Sequence, residues 1–350
     1  DTSLTATDAI RVFGDDKVSL LSFATPDESG KESKTMPGPA WILEGGDTLK
    51  VKYTNDMRPI VKDGEPMPCT SVLTGNSADE QPAACGTEEA EHAEHTDHSD
   101  HNDIYAANSR ISNLHVHGLH VDPKGKSDNV FLDLCPDGTS FDYEIDIPEH
   151  HHPGTFWYHP HKHGSTAVQM GNGMAGPLII NGGIDKAIDS KAKDRIFMFQ
   201  QIPYTMCDDE GWEEIDNEDG SKSYECKGEA LSFGSVQQEQ IVDRWNQRSF
   251  YQEVRPTTVN GVVQPVLHMQ GGEYQRWRFM HAGILQGLTI RMLDQTAYDA
   301  ALSKMKEKAQ LLEADPKADT SSAKASWDTS LALNRVSIDG LATGTTQALP

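Results

Sequence analysis

Four histidines, set in two copies of one spacing, are the groups in this chain best suited to hold a metal. His115 and His117 lie in the stretch NLHVHGLHV, and His159 and His161 lie in FWYHPHKHG. Successive side chains of a β-strand point to opposite faces, so residues i and i+2 share a face. Each pair then offers two imidazoles from one strand, and two such strands packed together bring four imidazoles to one small volume. Neutral imidazole suits copper, zinc, iron and nickel. One HxH alone is weak, because strand histidines are often only packed or solvated. Two pairs, both in β context and both near glycine, favour a metal site over four structural histidines.

The elements that must carry these groups read as strands. Trp41–Leu43, the Gly45-Gly46 turn, and Leu49, Val51 and Tyr53 alternating with Lys50 and Lys52 predict a hairpin. Phe141, Tyr143, Ile145 and Ile147 alternate with Asp142, Glu144 and Asp146, the pattern of a half-exposed strand. Thr155–His159 and Pro177–Ile180 are two further strands. After Asn181-Gly182-Gly183 the pattern restarts with Arg195–Gln200, Gln275–Met280 and Leu288–Leu293. The expected fold is therefore all-β: two tandem antiparallel sandwiches, 1–183 and 184–350. Residues 296–314 interrupt the second as a helix, with Tyr298, Leu302, Met305, Ala309 and Leu312 on one apolar stripe and Pro316 beyond its end. The stripe predicts a helix that covers a core or bridges domains.

Bulk properties narrow the partners. The 350 residues carry 54 acidic and 30 basic side chains, a net charge of −24. That balance argues against nucleic acid or an anionic membrane surface. No apolar run reaches the roughly 18 residues of a membrane span. The sequence opens on Asp1, without Met or leader, which reads as a mature secreted or periplasmic protein. Its five cysteines then suggest disulfides. Cys69 with Cys85 and Cys207 with Cys226 bracket two polar loops, leaving Cys135 over. The first loop, 66–104, ends in His92, His95, His98 and His101 among acids: a loose site for copper, zinc or manganese, or a solvated run. The second, 206–230, is an acidic run whose DNEDG fails the frame of a calcium loop. His150–His152 sit at a turn and are expected to be exposed.

Several metal chemistries fit poorly. HVHGLH lacks the aspartate of the HxHxDH zinc hydrolases, because Leu119 stands there. Barrel amidohydrolases need alternating helices, which are scarce. A blue-copper ligand needs Cys followed closely by His, whereas Cys135 leads into Pro136-Asp137-Gly138. By contrast, the stretch Asn113–Ile180 resembles the first domain of a multicopper oxidase of the bacterial laccase-like kind. The matching segments are NLHVHGLHV, SDNVF, FDYEIDIPEHHHPGTFWYHPHKHGS and GMAGPLII. QQIPYT, RPTTVNGVVQP, GEYQRWRFMHAG and SIDG resemble the family's second domain.

The resemblance implies cupredoxin-like Greek-key sandwiches or barrels and a trinuclear copper cluster. His115 is similar to a type 2 copper ligand, and His117, His159 and His161 to type 3 ligands. His163 resembles a residue near the cluster that is not a ligand, and His120 and His281 match structural positions. Asp128, in KSDNV, sits where the family often places an acid that steers protons to reduced oxygen; its alternative is a turn aspartate bonded to its own backbone. The implied activity is one-electron oxidation of a reductant, a phenol or a low-valent metal ion, coupled to reduction of dioxygen to water. The remaining four cluster ligands and the type 1 copper belong to a third cupredoxin domain, whose HxxHxH and HCHxxxH motifs this chain lacks. The expectation is thus a fragment of such an oxidase, requiring the missing C-terminal segment as partner. The competing reading is an exported copper-binding or storage module without turnover.

Overall fold

The computed structural model describes residues 1–13, 16–59, 61–62, 65–66, 69, 109–189, 191–205, 212–216, 222–226, 230–232, 256–284, 287–314, 333–338 and 341–349. The histidine-rich run 92–101, Cys85 and Cys207 lie outside them. The chain divides into two compact units, Asp1–Gln286 and Gly287–Pro350.

The principal strands of the first unit are β1 (Thr2–Phe13), β2 (Asp16–Pro26), β3 (Glu32–Thr35), β4 (Trp41–Glu44), β5 (Thr48–Asp56), β6 (His115–His117), β7 (Thr139–Asp146), β8 (Gly154–His159), β9 (Gly176–Asn181), β10 (Lys193–Gln201), β11 (Thr257–Val259) and β12 (Gln275–His281). Two short helices join them, α1 (Thr166–Gly171) and α2 (Gly183–Asp189). The chain is mostly β-strand in sheets, as its alternating patterns predict.

One sheet runs Tyr204–Thr205, Ala230–Ser232, β2, β1, β5, β7, with β3 on β2. Its β1–β2 hairpin extends to the pairing of Phe13 with Asp16. In the second sheet β6 pairs β8, β8 pairs β9, and β9 runs parallel to β4. A single core joins the two sheets: Leu4, Phe23, Val51, Tyr53, Tyr143 and Ile145 from the first, Trp41, Val116, Tyr158, Leu178 and Ile180 from the second. Trp41 stacks on Tyr158 with ring centroids 3.8 Å apart. Tyr158 in turn faces Gly176, where any Cβ would lie 2.1 Å from its ring.

Several sequence expectations need correction. Trp41–Leu43 and Leu49–Tyr53 do form strands, but no hairpin. β4 pairs β9, whereas β5 pairs β1 and β7, so the chain crosses from one layer to the other at Gly45-Gly46. Both strands carry large apolar groups, and those bury best facing each other between layers. The cysteine pairing also differs. Cys69 is bonded to Cys135, with Cα atoms 5.8 Å apart, so Cys135 is not left over and Cys69 does not pair with Cys85. Proximity in sequence was a poor guide, because the fold brings residues 66 apart together. The acidic loop 206–230 contains an antiparallel pair, Trp212–Asp216 with Lys222–Cys226.

A third sheet in this unit comprises Val262–Val263, β11, β10 and β12. Its Met198 and Met280 pack with Ala175, Ala282 and the half-buried Trp157 of β8. Buried charges tie it to the same strand. Asp185 of α2 accepts from Arg278 (2.7 Å) and Arg276 (2.8 Å), and Arg278 also donates to Thr155 of β8 (2.9 Å). The sequence-based boundary at residue 184 falls in α2, inside this unit.

The second unit holds α3 (Gln295–Ala314) and the antiparallel pair Leu333–Ile338 with Leu341–Leu349. The helix occupies the span its periodicity predicts. Its stripe is not the buried face, however: Ala301 is buried, Leu302 is half-buried, and Tyr298 and Met305 are exposed. Leu288–Leu293 is irregular rather than a strand, and Ile290 is exposed, so apolar alternation alone was not enough to make a strand here. No helix among the described residues is long and apolar enough to cross a membrane.

Candidate metal centre

β6 is only three residues long, yet it fixes two imidazoles. Val116 points into the core and is fully buried, so His115 and His117 take the opposite face. The strand stops at Gly118, whose φ of +86° is a backbone conformation that other residues adopt only with strain. Pairing with β8 sets His115 opposite His159, Val116 opposite Tyr158, and His117 opposite Trp157.

The second pair is built differently. His159 is the last residue of β8, and His161 lies past its end, beyond Pro160. Proline has no N–H with which to extend a ladder. His161 is held instead through its backbone N–H, which donates to Oδ1 of Asn113 at 2.7 Å. The expectation of two strand-borne pairs is thus half right.

The four rings meet. Around His115 the ring centroids of His117, His159 and His161 lie at 5.7, 5.2 and 4.9 Å. His115, His117 and His159 offer ligand atoms within 4.8 Å of one another, and His161 flanks this trio against His115 and His159. Their hydrogen bonds fix which nitrogens are free. His115 Nδ1 lies 2.9 Å from both oxygens of Asp128, so it carries the proton and leaves the Nε2 lone pair. His159 donates Nδ1–H to the carbonyl of Pro160 at 2.9 Å, leaving Nε2, which sits 3.2 Å from His117 Nδ1.

Desolvation favours the neutral form of two of these rings, His159 and His117. It pushes His159 down to about 3, and repulsion from the neighbouring His115, His117 and His161 adds to the effect. His117 is lowered for the same two reasons, partly offset by Asp128. Imidazole lone pairs converging on one volume are a donor set for a borderline-soft cation.

Asp128 is buried, and its bonds do not close its own turn. Besides His115 it accepts the backbone N–H of Val116 at 3.0 Å, so one carboxylate orients a ring and grips the strand that bears it. Trp157 was missed by the sequence reading. Its indole stacks on His117 at 4.8 Å and leans on His159 at 4.4 Å. The signal was available, since Trp157 stands two residues before His159 on a strand and must share its face. His163 is exposed in the turn before α1. His120 donates its backbone N–H to Nε2 of His151, which makes His151 half-buried rather than exposed. His281, at the end of β12, lies apart from the four rings in sequence and in sheet.

This geometry falls within a segment of known type. Residues 101–184 match the family model described as multicopper oxidase. These residues are thus similar to a multicopper oxidase domain. The family's metal is copper and its members are oxidoreductases. A 72-residue stretch is 36% identical to Laccase-4 of Thanatephorus cucumeris, spanning 20% of this chain and 13% of that one. Similar solved structures include the 2F4 variant of the McoA multicopper oxidase of Aquifex aeolicus. It is 17% identical, with a TM-score of 0.43, over 81% of this chain and 42% of that one. The multi-copper oxidase of Pseudomonas thermotolerans is 17% identical with a TM-score of 0.41, over 80% and 46%. The chain thus spans less than half the length of these multicopper oxidases.

Proposed function

We propose that His115, His117, His159 and His161 supply half of the ligands of a trinuclear copper cluster, in an oxidase that couples one-electron oxidation of a reductant to reduction of dioxygen to water. The observation that carries this reading is the meeting of four imidazoles, two of them locked in one tautomer, within a segment similar to a multicopper oxidase domain. Bound copper would supply reversible one-electron transfer at a site able to collect the four electrons that dioxygen needs.

The chain's own residues do the rest. Asp128 keeps a proton on His115 Nδ1 and so presents Nε2, the role we assign to the type 2 position. Pro160 does the same for His159 through its carbonyl, and His159 with His117 and His161 takes the type 3 positions. Trp157 limits the rotation of His117 and His159 by stacking on both. Asp128, in contact with the imidazole group, is also our candidate for passing protons to reduced oxygen. The type 1 copper and the other four ligands belong to a further cupredoxin domain in the complete protein, and the reductant is a phenol or a low-valent metal ion. Export from the reducing cytoplasm is part of this reading, and the Cys69–Cys135 bond supports it.

The test is metal content and turnover of the complete protein. About four coppers per molecule, with dioxygen uptake driven by a phenol or by ferrous or cuprous ion, is the expected result. Copper bound without dioxygen uptake would leave a storage module, and a single zinc would sink both.

A further inference from the structure

We propose that Asn113 is a positioning residue of the copper site, joining the segment that carries His161 to the loop that carries Asp128. The inference rests on the copper reading above. Asn113 is fully buried, two residues before His115. Its side chain has one acceptor and two donor hydrogens directed at three partners. Oδ1 accepts the backbone N–H of His161 at 2.7 Å. Nδ2 donates to the carbonyls of Val130 (2.8 Å) and Leu132 (3.0 Å). The amide cannot be turned over, because its oxygen would then face two carbonyl oxygens and its nitrogen would face an N–H.

Each partner leads to a ligand. Val130 and Leu132 follow Asp128 directly, and Asp128 holds His115. The N–H of His161 belongs to the one imidazole of the four that no strand carries and that follows Pro160. One carboxamide therefore sets the distance between the His115 side and the His161 side of the site. A second tie crosses the same gap: Lys162 pairs with the buried Asp133 at 3.0 Å. That tie is ionic and one residue farther along, so it holds the segments together without aiming the ring.

The same unit contains a matched comparison. Asn55 is also fully buried, and its Nδ2 donates to the carbonyls of Arg110 (2.8 Å) and Leu134 (2.7 Å). It staples neighbouring loops by the same chemistry without touching a histidine or its backbone. A purely structural role for Asn113 would make the two asparagines equivalent in their effect on metal binding.

The experiment titrates Cu(II) alone into the 350-residue chain and into Asn113→Leu, Asn113→Asp and Asn55→Leu. Affinity is read by chelator competition, ligand number from the nitrogen splittings in the EPR spectrum, and folding from the melting temperature. Asn113→Leu should weaken Cu(II) by roughly 10–100-fold and remove nitrogen splitting. Asn113→Asp keeps the acceptor for His161 and, because a bare oxygen cannot face the two carbonyls, must hold a proton that keeps one of the two donors, so it should weaken binding less; as the change of nearly equal size, it also carries the test if the leucine variant does not fold. Asn55→Leu should lower the melting temperature yet bind within about twofold of the parent. Wild-type affinity and spectrum in folded Asn113 variants overturn the proposal. So does a loss in Asn55→Leu equal to that in Asn113→Leu. If the unaltered chain binds no Cu(II), the four histidines do not hold copper by themselves and this proposal fails, whereas the copper reading is decided by the metal content of the complete protein.

Discussion

The two HxH pairs have the same spacing and reach the same volume, but by different means. His115 and His117 are held by a ladder: three residues of β6, registered against β8, with Val116 anchored in the core. His159 and His161 straddle the end of a strand. The first is fixed by β8, and the second hangs beyond Pro160 on a hydrogen bond that its backbone N–H donates to the side chain of Asn113. A ladder places side chains by backbone geometry and tolerates most neighbours. A tether places them through one group, and fails if that group is changed. The difference teaches that equal spacing in sequence does not mean equal rigidity at the site.

Four outcomes would break or sharpen this comparison. The largest effect should come from His115→Ala with His159→Ala, which removes one ladder-held ring from each pair and leaves no adjacent trio. Cu(II) binding should fall below detection in a competition titration; retained binding would place the metal elsewhere. Next, Asp128→Asn should weaken Cu(II) by about tenfold or more, by releasing the tautomer of His115. Its EPR spectrum should keep the splittings assigned to the second pair, and an unchanged affinity would show that the ladder alone orients His115.

The third concerns pH in the metal-free chain. His159 is held down to about 3 against an ordinary 6.5. As pH falls below 6.5 the unfolded chain takes up this proton first, so stability is full above that value and declines between about 6.5 and 3. Urea titrations should show that decline, and His159→Phe should flatten it; equal slopes in the two proteins would contradict the burial argument. The smallest effect should come from Gly118→Ala, which strains a φ of +86° where β6 ends. The expected cost is about 1 kcal/mol in urea titration, with copper affinity nearly unchanged, because the ladder rather than the turn sets the rings.

Much of the local structure was legible, and particular errors show where legibility ended. The alternation through Phe141–Ile147 gave β7 with Tyr143 and Ile145 buried, since one strand's pattern already encodes which face is dry. The helix 296–314 was equally clear from its period. The pairing of Trp41–Leu43 with Leu49–Tyr53 was not, because a glycine turn looks the same whether the chain folds back in one sheet or crosses to another. The cysteines failed for a related reason: Cys69 and Cys85 are near in sequence, whereas Cys69 and Cys135 are near in space. Leu288–Leu293 alternates like a strand, but it is irregular and leaves Ile290 exposed.

The sequence by itself determined the chemistry on offer. Two HxH pairs, with a buried valine between the first and a strand before the second, bring imidazoles together wherever β6 and β8 pair, because alternation is a property of the backbone. It also carries the likeness of residues 101–184 to a multicopper oxidase domain. Only the tertiary structure decided which nitrogens carry lone pairs, that Asp128 grips His115, and that Asn113 holds His161. Apart from the tautomer of His159, which its neighbour Pro160 sets, those choices depend on hydrogen bonds between residues 12 to 48 apart, and no local pattern encodes contacts made only once the layers close.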